Sequence, residues 1–114
     1  MESLERILLF DYYGDLLTER QKICFDMHYN QDLSLSEIAQ ELSISRQAVH
    51  DTLTRTEQLL KNMEAKTGCA GRDQLCRKAA GSILESARQL LNMEDPVVSA
   101  LAGKIISAAQ GLEE

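Results

Sequence analysis

Apolar and polar positions along this chain follow the period of helices, and almost no stretch shows the two-residue alternation of a strand. The first run, Leu4, Ile7, Leu8, Leu9, Phe10, Tyr12, Tyr13, Leu16 and Leu17, covers nearly the whole circumference when placed at 100° per residue. A helix of that kind is buried on more than one side, and in so short a chain a second subunit is the expected cover. Gly14 is expected to bend or end it. Thr18 with Gln21 three residues on is a capping box, in which the hydroxyl accepts an otherwise unpaired backbone N–H. Ile23, Cys24 and Met27 then make the expected inward face, and Asn30-Gln31-Asp32 is a polar stop. Ser34 with Glu37 repeats the capping box ahead of a short stripe of Ile38, Ala39 and Leu42.

Ser45 is the expected N-cap of a longer helix, Arg46 to about Lys66, roughly 30 Å long. Its inner line, Val49, Leu53, Thr56, Leu60 and Met63, advances by alternating steps of four and three, a short heptad-like seam. Gly68 is a natural C-terminal cap. The pattern thus divides into residues 1–66, a linker at 67–71, and a tail at 72–114 that reads as an αα-hairpin. In the tail, Leu75, Cys76, Ala79, Ala80, Ile83, Leu84, Ala87, Leu90 and Leu91 mark one amphipathic helix. Asp95-Pro96 opens the next with a cap and a first-turn proline, and Val97, Val98, Leu101, Ile105, Ile106 and Ala109 make its inward face. The alanines with Gly81 and Gly103 are expected to let the two helices approach closely, so that their stripes largely satisfy each other.

The segment from Leu35 to Leu53 carries the chemistry. A short helix, a three-residue turn Ser43-Ile44-Ser45 and a second helix opening Arg46-Gln47-Ala48-Val49 have the spacing of a helix-turn-helix. Ala39 is small where the second helix crosses, and Ile38, Leu42, Ile44, Val49 and Leu53 fill the wedge. Ser43 stands where glycine is common, a tolerable strain for a small polar residue. The first turn after Ser45 is left to project into a groove.

Three stretches, Leu17-Thr18-Glu19-Arg20-Gln21, Asp32-Leu33-Ser34-Leu35-Ser36-Glu37-Ile38-Ala39 and Ile44-Ser45-Arg46-Gln47-Ala48-Val49, resemble region 4 of bacterial sigma factors. The chain is more closely similar to the YlxM family of small helix-turn-helix-like proteins. There the run ending at Val49 is followed by an aromatic or histidine (His50 here), then Asp51, then the equivalent of Arg55-Thr56-Glu57; Phe10-Asp11-Tyr12-Tyr13-Gly14 also matches. The resemblance covers about residues 3–66. It implies an all-α fold of sigma-region-4 type and a DNA-binding regulatory role. Genes of the family commonly lie beside that of the signal recognition particle GTPase, which implies a link to that pathway.

If Val49, Leu53, Thr56 and Leu60 face inward, the opposite face shows Gln47, His50, Asp51, Thr54 and Gln58, with Arg46 and Lys61 flanking and Arg55 to one side; Ser45, Arg46, Gln47, His50, Asp51, Thr54 and Arg55 are the expected nucleic-acid contacts. Gln47 suits adenine, Arg46 guanine or phosphate, and Thr54 either phosphate or base. Asp51 opposes phosphate but can accept from cytosine N4. Charge pulls the other way. The 114-residue chain carries −6 overall, and residues 1–68 hold seven basic against twelve acidic residues, a net of −5. Phosphate neutralisation supplies most nonspecific affinity, so a single copy should bind DNA weakly, and two copies better. A homodimer is expected, with Leu9, Phe10, Tyr13, Leu60 and Met63 at its interface. The rival reading is an interaction module that docks on the signal recognition particle protein or its RNA.

Composition narrows the rest. No apolar run approaches the roughly 20 residues of a membrane span, and the N-terminus lacks the pattern of a signal peptide. The cysteines Cys24, Cys69 and Cys76 cannot form a closed disulfide set, and reduced thiols in a cytoplasm are expected. No cofactor or metal is expected, since Cys69 and Cys76 have no clustered His. His28, late in its helix, is expected to be solvated or capping. No phosphate loop, nucleophile triad or HExxH motif is present, so enzymatic activity is not expected.

Overall fold

A computed structural model describes residues 1–113; the last position of the expected tail lies outside the described residues. The described chain is all-helical: α1 (Ser3–Tyr13), a 3₁₀ turn (Gly14–Leu16), α2 (Glu19–Tyr29), α3 (Leu35–Leu42), α4 (Arg46–Thr67), α5 (Cys69–Leu91) and α6 (Pro96–Glu113). The described chain divides into two compact units, 1–70 and 71–113.

In the first unit the expected caps form. Thr18 accepts from Gln21 N–H at 3.2 Å while Gln21 Oε1 accepts from Thr18 N–H at 3.0 Å. Ser34 and Glu37 do the same at 3.1 Å in both directions. α1, α2 and α3 all pack on α4. The shared core holds Leu9, Tyr13, Cys24, Phe25, Ile38, Val49, Leu53 and Leu60. Thr56 is fully buried on the same line of α4. Its hydroxyl donates to Thr52 O at 2.7 Å, which satisfies the one polar atom the seam carries.

The inward face of α2 is corrected. Ile23 is exposed, and Phe25 takes its place in the core. The cause is aromatic packing: Phe25 stacks on Phe10 with centroids 4.6 Å apart and planes 15° apart, and meets Tyr29 at 4.6 Å. Stacked rings of that size outweigh a single isoleucine in deciding how α2 is rotated.

The division between the two units falls within the expected linker at 67–71. Thr67 ends α4, and Gly68 alone separates it from α5. Gly68 has φ 62°, the left-handed turn that glycine adopts without a Cβ penalty. The first turn of α5 is tied down at once, because Ala70 N–H donates to Glu64 Oε1 at 3.0 Å, and Tyr13 Oη donates to the same oxygen at 2.6 Å. Residues 69–71 are helical.

In the second unit Asp95 Oδ1 accepts from Val97 N–H at 2.8 Å, as a cap before Pro96 should. The tail stripes do not satisfy each other, however. The buried side chains are Ala80, Leu84, Ala87, Ala102 and Ala109, whereas Leu75, Ile83, Leu90, Val97, Leu101 and Ile105 are exposed. Four of those five buried residues are alanines. Nor does Gly103 serve close approach, since a Cβ there would meet nothing within 4 Å.

Candidate nucleic-acid interface

The turn between α3 and α4 is built by three local decisions. Ser43 adopts φ 56°, ψ 44°, a left-handed residue that stops α3. Ile44 N–H then donates back to Ala39 O at 3.0 Å, turning the apolar side chain toward the wedge. Ser45 caps α4 through Ala48 N–H to Oγ at 3.0 Å. With Val49, Leu53, Thr56 and Leu60 locked in the core, the rotation of α4 is set, and its outer side is set with it.

That outer side carries the predicted residues together. Ser45, Arg46, Gln47, His50, Asp51, Thr54 and Arg55 are all exposed. Asp51 is already engaged: Gln47 Nε2 donates to Asp51 Oδ1 at 3.0 Å, and His50 Nδ1 lies 3.6 Å from the same oxygen. Thr54 Oγ1 donates to His50 O at 3.0 Å, so in this rotamer its hydroxyl offers lone pairs rather than a proton. Arg55 stands at the rim of an open groove of about 300 Å³ with Gln21, Gln58, Leu59 and Asn62. Gln21 is not legible in the sequence as a neighbour of Arg55, because it comes from α2, whereas Asn62 lies two turns along α4 on the same face.

A second cleft of about 210 Å³ flanks the face, lined by His28, Leu35, His50 and Glu57 among others. His28 is not simply solvated there, since its Nδ1 lies 2.9 Å from Leu33 O. Beside it sits a node that joins three helices. Arg6 Nε donates to Glu57 Oε1 at 2.6 Å, Tyr29 Oη donates to the same oxygen at 2.8 Å, and the guanidinium lies 4.4 Å from the Tyr29 ring centroid. Burial pushes the Glu57 carboxyl up, but the bonds from Arg6 and Tyr29 outweigh burial and hold it below its ordinary 4.5. Tyr29 is pushed up, by burial first and then by Glu57. A carboxylate depressed in the folded state contributes stability that is full above its unfolded pKa and is lost as pH falls through the folded value. Urea midpoints should therefore fall in the wild type as the pH drops below the ordinary 4.5 of this carboxyl, and Glu57→Gln should flatten that fall while lowering stability at pH 7.

The residues expected at a dimer interface are placed otherwise. Leu9, Tyr13 and Leu60 are buried inside their own chain, Phe10 is half-buried against Phe25, and Met63 packs on the same core. The large apolar groups that α1 does expose are Leu4, Ile7 and Tyr12. Its all-round apolar pattern is explained by α4 on one side, and the side that remains is a different set of residues.

Among the described residues no group of three or more His, Cys, Asp or Glu is placed to hold a metal, and no helix is long and apolar enough to cross a membrane. A short helix, a left-handed turn and a capped second helix with an exposed polar face define a helix-turn-helix protein. A family model described as "Putative helix-turn-helix protein, YlxM / p13 like" matches residues 1–95. The chain belongs to this family, UPF0122. A UPF0122 protein of Desulforamulus reducens is 55% identical over 69 residues, 60% of this chain and 59% of that one. One of Clostridium novyi is 41% identical over 83 residues, covering 73% and 72%, and one of Acetivibrio thermocellus is 41% identical over 86, covering 75% and 74%. The chain thus spans about six tenths of the length of the first relative, and α6 lies beyond the residues matched by the family model.

Proposed function

We propose that the protein binds duplex DNA through the outer face of α4 and acts as a regulator. The observation that carries this reading is the rigid display of Arg46, Gln47, His50, Thr54 and Arg55 on the exposed side of a helix whose inner side is core. A helix held in this way enters a major groove as one body, with Arg and Gln near its start, where base edges are reached. Gln47 exchanges its bond to Asp51 for one to a base, so the face is preorganised but not inert.

Acidity favours a second reading from another class. Residues 1–70 hold seven basic and twelve acidic residues, a net of −5. This supports a module that keeps the helix-turn-helix shape and docks on the signal recognition particle protein; its RNA, the other arm of this reading, meets the same charge as DNA. A salt titration separates the two. DNA binding predicts detectable affinity for random duplex at 50 mM salt that falls steeply as salt rises. Absence of binding at 50 mM removes the DNA reading, and binding to structured RNA alone transfers the function to the second.

A further inference from the structure

We propose that the α5–α6 hairpin is a self-association module, whose exposed apolar face pairs with the same face of a second copy of this chain. Leu75, Ala79, Ile83, Ser86 and Leu90 form one line on α5. Val97, Leu101, Ile105, Ala108 and Leu112 form another on α6, and both lines advance by steps of four, four, three and four. Every one of these residues is exposed, and neither line contains a charge. Arg77, Lys78, Glu85 and Arg88 fall on the other side of α5 at 3.6 residues per turn.

The two lines share one face. Taking the buried residues Ala80, Leu84 and Ala87 as the seam of α5, and Ala102 with Ala109 as that of α6, each exposed line is rotated about 100° to the same side of its seam. A connection as short as Asn92 to Asp95 makes the helices antiparallel. Equal rotations on antiparallel helices point the same way.

A second copy is the occupant this face fits. The two lines are themselves uncharged, with Arg72 and Lys104 only at the edges of the face, so it offers a charged partner little to read. The matching spacing lets α5 of one copy lie along α6 of the other about a two-fold axis, the closed arrangement that buries identical patches, and the product is a four-helix bundle. The area is sufficient. The large apolar residues on the two lines are 39–69% exposed, which comes to about 650 Å² a copy and about 1,300 Å² a pair, within the size of specific interfaces. The unit also lacks a core of its own: Leu84 is its one large buried side chain among the described residues, and units of this size usually need oligomerisation or a similar support. The proposal stands whether or not the protein binds DNA.

Light scattering of the full chain at about 50 µM tests it, with an expected mass twice the 12.8 kDa of one chain. Ile83→Lys with Leu101→Lys should halve that mass, and any loss of helical circular dichroism should be confined to the hairpin, because residues 1–70 hold a core of their own. Ile83→Ser with Leu101→Ser should also weaken the pair, and it covers the case in which the lysines unfold the hairpin. Leu4→Lys with Ile7→Lys, on the apolar side of α1, should leave the pair intact. A wild-type mass of one chain overturns the proposal, as does a pair that survives both hairpin variants or is lost only in the α1 variant. A single-chain mass together with sedimentation on anionic phospholipid vesicles overturns it too, and gives the face to a membrane surface.

Discussion

Leu60→Ala is expected to cost about 2–5 kcal/mol of folding stability. It should do so by the same amount at every protein concentration. Leu60 is fully buried in its own chain, in the core that α4 shares with α1, α2 and α3. Truncation removes the transfer energy of the lost methyl groups and leaves a cavity that rigid helices fill only in part. An interface residue behaves differently: its loss moves the thermal midpoint most where association contributes most, so the shift depends on concentration. Urea melts at two concentrations tenfold apart decide between these roles. Equal losses place Leu60 in the core. A loss that shrinks on dilution would return it to an interface. Phe10 gives a companion test, since Phe10→Ala removes its stack on Phe25 at 4.6 Å and should show the same indifference to concentration.

What was legible in the sequence was local. Thr18 with Gln21, Ser34 with Glu37, and Ser45 ahead of Arg46 announce helix starts because a capping hydroxyl and its N–H lie three residues apart. The line Val49, Leu53, Thr56 and Leu60 announces a buried seam because one helix carries all of it. The outer face of α4 followed by subtraction, which is why the candidate site residues are found together on the surface. What failed needed information from elsewhere in the chain. Nothing near Ile23 shows that Phe25 will stack on Phe10 and rotate α2. Arg6 and Glu57 meet across 51 positions, and no periodicity reports such a pair. The pattern of α1 showed that more than one side was apolar, but not that Leu9 and Tyr13 would be taken by α4 of the same chain while Leu4 and Ile7 stayed out. In the tail the apolar stripes are legible, but periodicity does not report what covers them, and Leu75, Ile83, Leu90, Val97, Leu101 and Ile105 are exposed.

Replacing both Arg46 and Gln47 by alanine should lower specific DNA affinity by about 2–6 kcal/mol, taking about 1–3 kcal/mol for each base contact. Folding should be nearly untouched. Both side chains are exposed at the start of α4, the cap is made by Ser45 rather than by either of them, and alanine is the best helix former. The bond from Gln47 to Asp51 is lost in the variant, but an exposed pair of this kind adds little to a helix. Asp51→Asn separates a charge effect from a base contact. Removing a negative charge from the middle of the face should tighten binding to random duplex if phosphates approach it. If Asp51 accepts from a cytosine, the variant should instead lose selectivity. Fluorescence anisotropy against a selected duplex and a random one, at a fixed salt concentration, measures both effects. Equal affinities in wild type and the Arg46→Ala/Gln47→Ala variant, with circular dichroism unchanged, would remove the first turn of α4 from the interface and leave the docking module as the function of this fold.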